Sequence, residues 1–141
     1  MESTLNNPTL MAVRPKAKSV AIAYWSVIGL LCLWIAATAY AQLTVPQVAD
    51  AYRQLGFPSA SFRIELAWAK FLGIAALLLP VPARVKEWAF AGFAIDFVSA
   101  LIAHVSAGQG VNQWIWALVA FVLLAVPYLL RERMQSASTR A

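Results

Sequence analysis

Residues 19–43 read SVAIAYWSVIGLLCLWIAATAYAQL, an apolar run whose internal polar breaks are Ser26, Thr38 and Gln42. A helix needs about 20 mostly apolar residues to cross the hydrocarbon core of a bilayer. The run exceeds this length and contains no charged side chain. It therefore predicts a transmembrane helix and places the chain among integral membrane proteins.

A cleaved signal peptide is the alternative interpretation of this segment. Lys16 and Lys18 precede the apolar run, and Ala39-Tyr40-Ala41 has the small-residue spacing of a cleavage site. The apolar core of a signal peptide, however, spans only about 7–15 residues. Because the run is longer than that, we expect an uncleaved helix.

Three further segments have the length and composition of spanning helices, and prolines, glycines or charged residues end each of them. They comprise residues 62–79, 87–106 and 111–130. The sequence therefore predicts an all-α fold, an integral membrane four-helix bundle with a short amphipathic helix in its first external loop. We expect a transmembrane domain over residues 19–131, a flexible cytoplasmic tail at 1–18 and a cytoplasmic tail at 132–141.

Composition supports the membrane assignment. The 141-residue chain is 62% hydrophobic and 12% charged, whereas a typical soluble domain is about 25% charged. A soluble protein of this composition would expose large apolar patches and aggregate. The net charge of +5 does not indicate a nucleic-acid partner, because the basic residues flank apolar segments instead of forming one surface.

The basic residues predict the orientation of the chain. Eight of them fall on one side of the predicted bundle, whereas Arg53 and Arg63 fall on the other. The eight are Arg14, Lys16, Lys18, Arg84, Lys86, Arg131, Arg133 and Arg140. Because cytoplasmic loops carry the excess of Lys and Arg, both termini are expected on the cytoplasmic side of the membrane.

The first external loop contains an amphipathic pattern. Val48, Ala51, Tyr52 and Leu55 recur at helical spacing. A proline at position 46 suits a helix start, and a glycine at position 56 suits a helix end. We expect a short helix that lies on the outer mouth of the bundle, either as a simple cover or as a lid or partner surface.

Charged and polar side chains inside the predicted spans are the candidate site. Charges cost about 2.5–3.5 kcal/mol each on insertion scales, so they usually face a partner or a cavity. The candidates are Arg63, Glu65 and Lys70 on the second segment and Asp96, Ser99 and His104 on the third. No catalytic role is assigned to any of them.

Depth matching pairs these candidates. Consecutive spanning helices joined by a short loop run antiparallel, so residues at equal depth have similar sums of their positions. Lys70 with Asp96 near mid-membrane, and Glu65 with His104 near the outer edge, meet this condition. We expect a deep Lys70–Asp96 ion pair and a shallower Glu65–His104 contact reached by Arg63. Lys70 and Glu65 lie about 140° apart around their helix, so both cannot occupy one narrow seam.

Several interpretations of these residues stay open at this stage. The Lys70–Asp96 pair either fixes helix register or forms a proton- or ion-linked site or a polar pocket for a headgroup or quinone. His104 either bonds a carboxylate or water, or shuttles protons. The polar residues at different depths do not form a recognisable metal ligand set, and no cofactor is expected. Cys32 is the lone cysteine, which excludes an intrachain disulfide, and we expect it to pack in the interior.

Several motifs in order resemble the DoxX-like family of small four-helix membrane proteins. The resemblance covers roughly residues 24–131. It is carried by Pro46-Gln47-Val48 through Leu55-Gly56-Phe57-Pro58, Arg63-Ile64-Glu65-Leu66-Ala67, Lys70-Phe71-Leu72-Gly73, Leu77-Leu78-Leu79-Pro80, Lys86-Glu87-Trp88-Ala89-Phe90-Ala91-Gly92-Phe93, Asp96-Phe97-Val98-Ser99-Ala100 and His104.

The resemblance implies a four-helix inner-membrane protein and leaves its activity open. Some relatives are described as subunits of quinone-linked sulfur oxidation, others as accessory factors in oxidative-stress complexes. The family carries no agreed catalytic residues. Glu65, Lys70, Asp96 and His104 are its family-like polar positions, and the lone cysteine argues against a thiol–disulfide role.

Three functions compete at this point. The leading one is a non-enzymatic accessory or partner subunit of a redox- or stress-related membrane complex, which contacts lipid, a membrane protein partner or a second copy of itself. The second is a small proton- or ion-coupled transporter that uses Glu65, Lys70, Asp96 and His104. The third is a membrane enzyme acting on a lipid or quinone, with His104 and Asp96 as acid and base.

Overall fold

The structure is a computed structural model that describes residues 8–139, with side-chain surroundings for residues 18–136. The described residues form five α-helices and no strand, which confirms the all-α class. They are α1 (Pro8–Thr44), α2 (Pro46–Gln54), α3 (Ala60–Leu78), α4 (Ala83–Ser106) and α5 (Val111–Thr139).

The two terminal helices are longer than predicted. α1 begins at Pro8 instead of residue 19, and α5 continues to Thr139 instead of residue 130. Both extensions lack glycine, and their two prolines are Pro8, at the start of α1, where proline is tolerated, and Pro15. The flexibility of the two tails stays a prediction. The outermost residues of the tails, 1–7 and 140–141, lie outside the described residues.

The four long helices contact one another in a closed ring. α1 packs on α3, α3 on α4, α4 on α5, and α5 on α1. Apolar side chains fill the centre of the ring, among them Ile28, Leu77, Phe93 and Leu124. Cys32 is part of this core, as expected, and is 3% exposed.

Three of the four long helices have the length and composition of membrane spans. They are Lys18–Thr44, Ala83–Ser106 and Val111–Ser136. α3 is as long as a span but carries Arg63, Glu65 and Lys70 within its 19 residues. Composition alone therefore supports three spans, and the fourth span stays a prediction.

α2 is the amphipathic helix predicted for the first loop. Pro46 occupies its first turn, and the chain leaves the helix at Gly56, whose φ of +88° favours glycine. Val48, Ala51, Tyr52 and Leu55 are half-buried, whereas Asp50 and Arg53 are exposed and form an ion pair. The helix packs on α1 and α3.

Candidate functional site

The predicted ion pair joins α3 to α4. Lys70 Nζ lies 3.3 Å from Asp96 Oδ2, and the two side chains are 10% and 12% exposed. Lys70 follows the start of α3 by ten residues, and Asp96 precedes the end of α4 by ten residues. At a rise of 1.5 Å per residue both therefore lie about 15 Å from the same end of their helices, close to half the thickness of a bilayer core. Each charge therefore has its counter-ion in the poorly exposed contact between the two helices.

A second polar contact lies between α1 and α2, and sequence reasoning did not predict it. Gln42 Nε2 donates to the Tyr52 hydroxyl over 2.6 Å, and Gln42 is only 5% exposed. Gln42 Oε1 is buried and has no hydrogen-bond partner among the described residues. Two features of the sequence could have predicted this contact: Gln42 is a polar residue near the end of the first apolar run, and Tyr52 lies on the apolar face of the loop helix.

Tyr52 connects this contact electrostatically to the ion pair. Burial, reinforced by the negative charge of Asp96, raises the pKa of the Tyr52 hydroxyl to about 12. The hydrogen bond from Gln42 and the positive charge of Arg63 act in the opposite direction but are weaker. The phenol therefore stays neutral at physiological pH. Arg63 is half-buried and forms no ion pair among the described residues.

The predicted Glu65–His104 contact was wrong. Glu65 is exposed and has no ion-pair partner in the described part of the chain. His104 Nδ1 instead lies 2.5 Å from Gln109 Oε1, and the Gln109 amide N–H donates to the His104 carbonyl oxygen over 3.1 Å. Glu65 lies about 7.5 Å from the start of α3 and His104 about 3 Å from the end of α4, so their depths differ. Glu65 is also rotated by about 140° from Lys70, so it points away from α4.

Ser99 lines a separate cleft above the ion pair. The cleft has a volume of about 530 Å³ and lies between α4 and residues 54–57, which comprise the last residue of α2 and the three residues after it. Ser99 is exposed and one helical turn from Asp96. The structure therefore brings only two of the six candidate residues together, Lys70 and Asp96. The other four are separate: Arg63 acts on Tyr52, Ser99 lines the cleft, Glu65 points outward and His104 bonds Gln109.

Between residues 18 and 136, no group of three or more His, Cys, Asp or Glu side chains is placed to hold a metal ion. The arrangement instead offers one neutralised ion pair beside a neutral phenol and a buried amide. Such a cluster suits hydrogen bonding and helix registration better than nucleophilic chemistry.

A comparison with protein families decides the affiliation of the chain. The model of the DoxX-like family matches residues 26–127, which is most of the chain and contains α2, α3 and α4 entirely. The chain belongs to the DoxX-like family. No curated protein and no solved structure matches this DoxX-like chain. The polar cluster of Gln42, Tyr52, Lys70 and Asp96 lies wholly within the segment that matches the DoxX-like family.

Proposed function

We propose that this DoxX-like chain is a four-helix protein of the inner (plasma) membrane with both termini in the cytoplasm. We further propose that it acts as a non-enzymatic accessory subunit of a redox- or stress-related membrane complex. Family membership, the apolar helices and the excess of basic residues at one end of the ring support this proposal.

The packing of α3 supports a fourth span. α3 contacts α1 on one side and α4 on the other, so the ring has a gap without it. Its 19 residues cover about 28 Å, close to the hydrocarbon thickness. Lys70 is the charge nearest the middle of α3, and Asp96 neutralises it. Two apolar neighbours and a neutralised lysine make a membrane position favourable despite the composition of α3.

The observation that carries the accessory role is the outward face of α3, defined by Glu65, Trp68 and Leu72. These residues are spaced at i, i+3 and i+7, and all three are exposed, Trp68 by 59% and Leu72 by 72%. A carboxylate surrounded by exposed apolar side chains has no favourable contact in lipid. A donor on a neighbouring membrane protein removes this cost, so the outward face of α3 fits a protein partner.

The transporter alternative has weaker support from the geometry. Its four residues would need to line one route, but Lys70 and Asp96 neutralise each other in the interior. Glu65 points outward, and His104 bonds the loop residue Gln109. The four groups therefore do not form a continuous path among the described residues.

The enzyme alternative is disfavoured by distance. His104 and Asp96 were its acid and base, and they are eight residues apart on α4, which is about 12 Å along the helix axis. An acid–base pair acts on one substrate atom from hydrogen-bonding distance. The accessory role needs no such approach.

Photocrosslinking in cells tests the accessory role. A photoreactive amino acid replaces Trp68 on the outward face of α3, and a control replaces Leu33, an equally exposed apolar residue of α1 (69%). We expect a covalent adduct with a different membrane protein at position 68, weaker when Glu65→Leu is added, and little adduct at position 33. Cells that carry Glu65→Leu should also lose tolerance to oxidants.

Three results would contradict the accessory role. One is the absence of any adduct at position 68, and another is equal adducts at both positions. The third is an adduct with twice the mass of the chain, which would show that the partner is a second copy of the protein. Glu65 is exposed and unpaired among the described residues, so its replacement should leave folding unaffected, which thermal unfolding in detergent verifies.

A further inference from the structure

A groove of about 420 Å³ runs between α4 and α5, away from the polar cluster. Its α4 wall consists of Phe90, Ala91 and Ala94, and its α5 wall of Phe121, Leu124 and Ala125. The alanines leave the space that larger side chains would fill. Both helices qualify as membrane spans, so the groove faces the acyl-chain region of a bilayer.

Polarity rises along the groove in one direction. At one end Glu87 and Tyr128 complete its lining, and the ring of Tyr128 packs edge-on against Phe90 with centroids 5.5 Å apart. One helical turn beyond these residues, Arg84 follows on α4 and Arg131 on α5. The groove thus changes from apolar to aromatic and hydroxylated, and then to cationic.

The cationic end carries an uncompensated positive charge. Residues 83–87 and 131–133 contain four basic and two acidic side chains, a net charge of +2. Arg131 is largely buried, donates to the Ala83 carbonyl oxygen over 3.2 Å and lies 3.7 Å from Glu87 Oε1. Arg84 is exposed and has no hydrogen bond or ion pair among the described residues. Arg84 is therefore a cation available to an external anion.

We propose that this groove binds an anionic phospholipid. One acyl chain lies against Ala91, Leu124 and Ala125, and the phosphate meets Arg84. The order of apolar, aromatic and cationic groups along the groove matches the order of tail, ester region and phosphate in such a lipid. Trp88, which is 80% exposed beside Arg84, occupies the interfacial depth that tryptophan prefers. If an apolar transmembrane helix occupied the groove, it would provide no counter-charge for Arg84.

Lipid titration of the purified full-length chain in detergent tests the proposal. Native mass spectrometry measures the binding of dioleoyl-phosphatidylglycerol and of dioleoyl-phosphatidylcholine, which share their acyl chains and differ in headgroup charge. We expect phosphatidylglycerol to bind about fivefold more tightly, the contribution typical of one basic residue at a membrane surface. Arg84→Gln should reduce this preference to about twofold or less.

Groove-filling variants test the acyl-chain part separately. Ala91→Leu and Ala125→Leu place larger side chains at exposed groove positions and should weaken the binding of both lipids. Ala37→Leu, at an exposed alanine of α1, and Arg53→Gln, at the opposite end of the molecule, are the matched controls and should bind like the unmodified chain. Thermal unfolding confirms that each variant is folded.

Any of three results would overturn the proposal. The two lipids bind equally, or Arg84→Gln and Arg53→Gln have the same effect, or the groove-filling variants bind like Ala37→Leu. A dimer that Ala125→Leu abolishes would show that a second copy of the chain occupies the groove instead of a lipid.

Discussion

Lys70 on α3 and Asp96 on α4 hold their charged atoms 3.3 Å apart in the interior, at equal depth from the same end of the ring. The pair neutralises both charges at a position where the two side chains are only 10% and 12% exposed. Such pairs add little net stability compared with apolar residues, but an isolated charge at the same place is costly.

Removing one partner of the pair should therefore destabilise the protein more than replacing both partners by apolar residues. We expect Lys70→Met and Asp96→Asn each to lower the free energy of unfolding by about 3–5 kcal/mol. Lys70→Met combined with Asp96→Leu should recover most of this loss, as measured by thermal unfolding in detergent. Asp50→Asn, which breaks the exposed Arg53–Asp50 pair, is the control and should cost less than about 1 kcal/mol. Equal losses for the single and double variants would contradict an architectural role.

The contact between Gln42 and Tyr52 should attach α2 to the ring. Tyr52→Phe leaves both ends of the buried Gln42 amide without a protein partner, which should cost about 1–3 kcal/mol. Hydrogen exchange should increase in α2 more than in the long helices. Adding Gln42→Leu removes the unpaired amide and should restore part of the loss. Unchanged exchange in α2 would show that its apolar face alone holds it in place.

The raised pKa of Tyr52 predicts a loss of stability in alkali. Tyr52 lies on α2, outside the spanning helices, and its pKa is raised from 10 to about 12. Below pH 10 the folded and unfolded chains both keep the phenol proton. Between pH 10 and 12 the unfolded chain releases it while the folded chain retains it, so stability falls as pH rises through this window. The stability difference between the unmodified chain and Tyr52→Phe should shrink across this range, whereas a constant difference would refute the shift.

Replacing Gly73 by alanine should destabilise the packing of α3 on α4, whereas the same change at Gly92 should not. A Cβ atom at Gly73 would lie 2.7 Å from Phe93 Cζ, and the Phe93 ring is buried and stacked on Phe97. A Cβ at Gly92 has nothing within 4 Å. We expect Gly73→Ala to cost about 1–3 kcal/mol through overpacking, whereas Gly92→Ala should be neutral or gain up to about 1 kcal/mol of helix propensity. Thermal unfolding measures both, and equal effects would show that the Phe93 ring moves freely.

Cysteine labelling should show that α3 crosses the membrane. Single cysteines replace Ser59 before α3, Ala83 after it and Ser106 at the end of α4, all exposed positions. A membrane-impermeant maleimide added to intact cells or spheroplasts should label positions 59 and 106, and position 83 only after permeabilisation. The native Cys32 is buried and should stay unlabelled. Labelling of positions 59 and 83 from the same side would exclude α3 as a span.

The local sequence pattern was sufficient to predict the helices. Apolar length and helix-ending residues predicted the four long helices, and the spacing of Val48, Ala51, Tyr52 and Leu55 predicted α2, because these signals act over a few residues. The Lys70–Asp96 pair was predictable because a short connection forces α3 and α4 to be antiparallel. Depth then follows from position along the chain.

Rotation and side-chain packing were decided only by the tertiary structure. Glu65 and His104 lie near the same end of α3 and α4, yet they do not meet, because the direction of a side chain around its helix depends on which neighbours the helix packs against. The same holds for the Gln42–Tyr52 bond, the proximity of Gly73 to Phe93 and the groove between α4 and α5. The sequence by itself thus determined the helices, their order and the positions of the charged residues along them, whereas the packed ring decided which side chains face each other and which face outward.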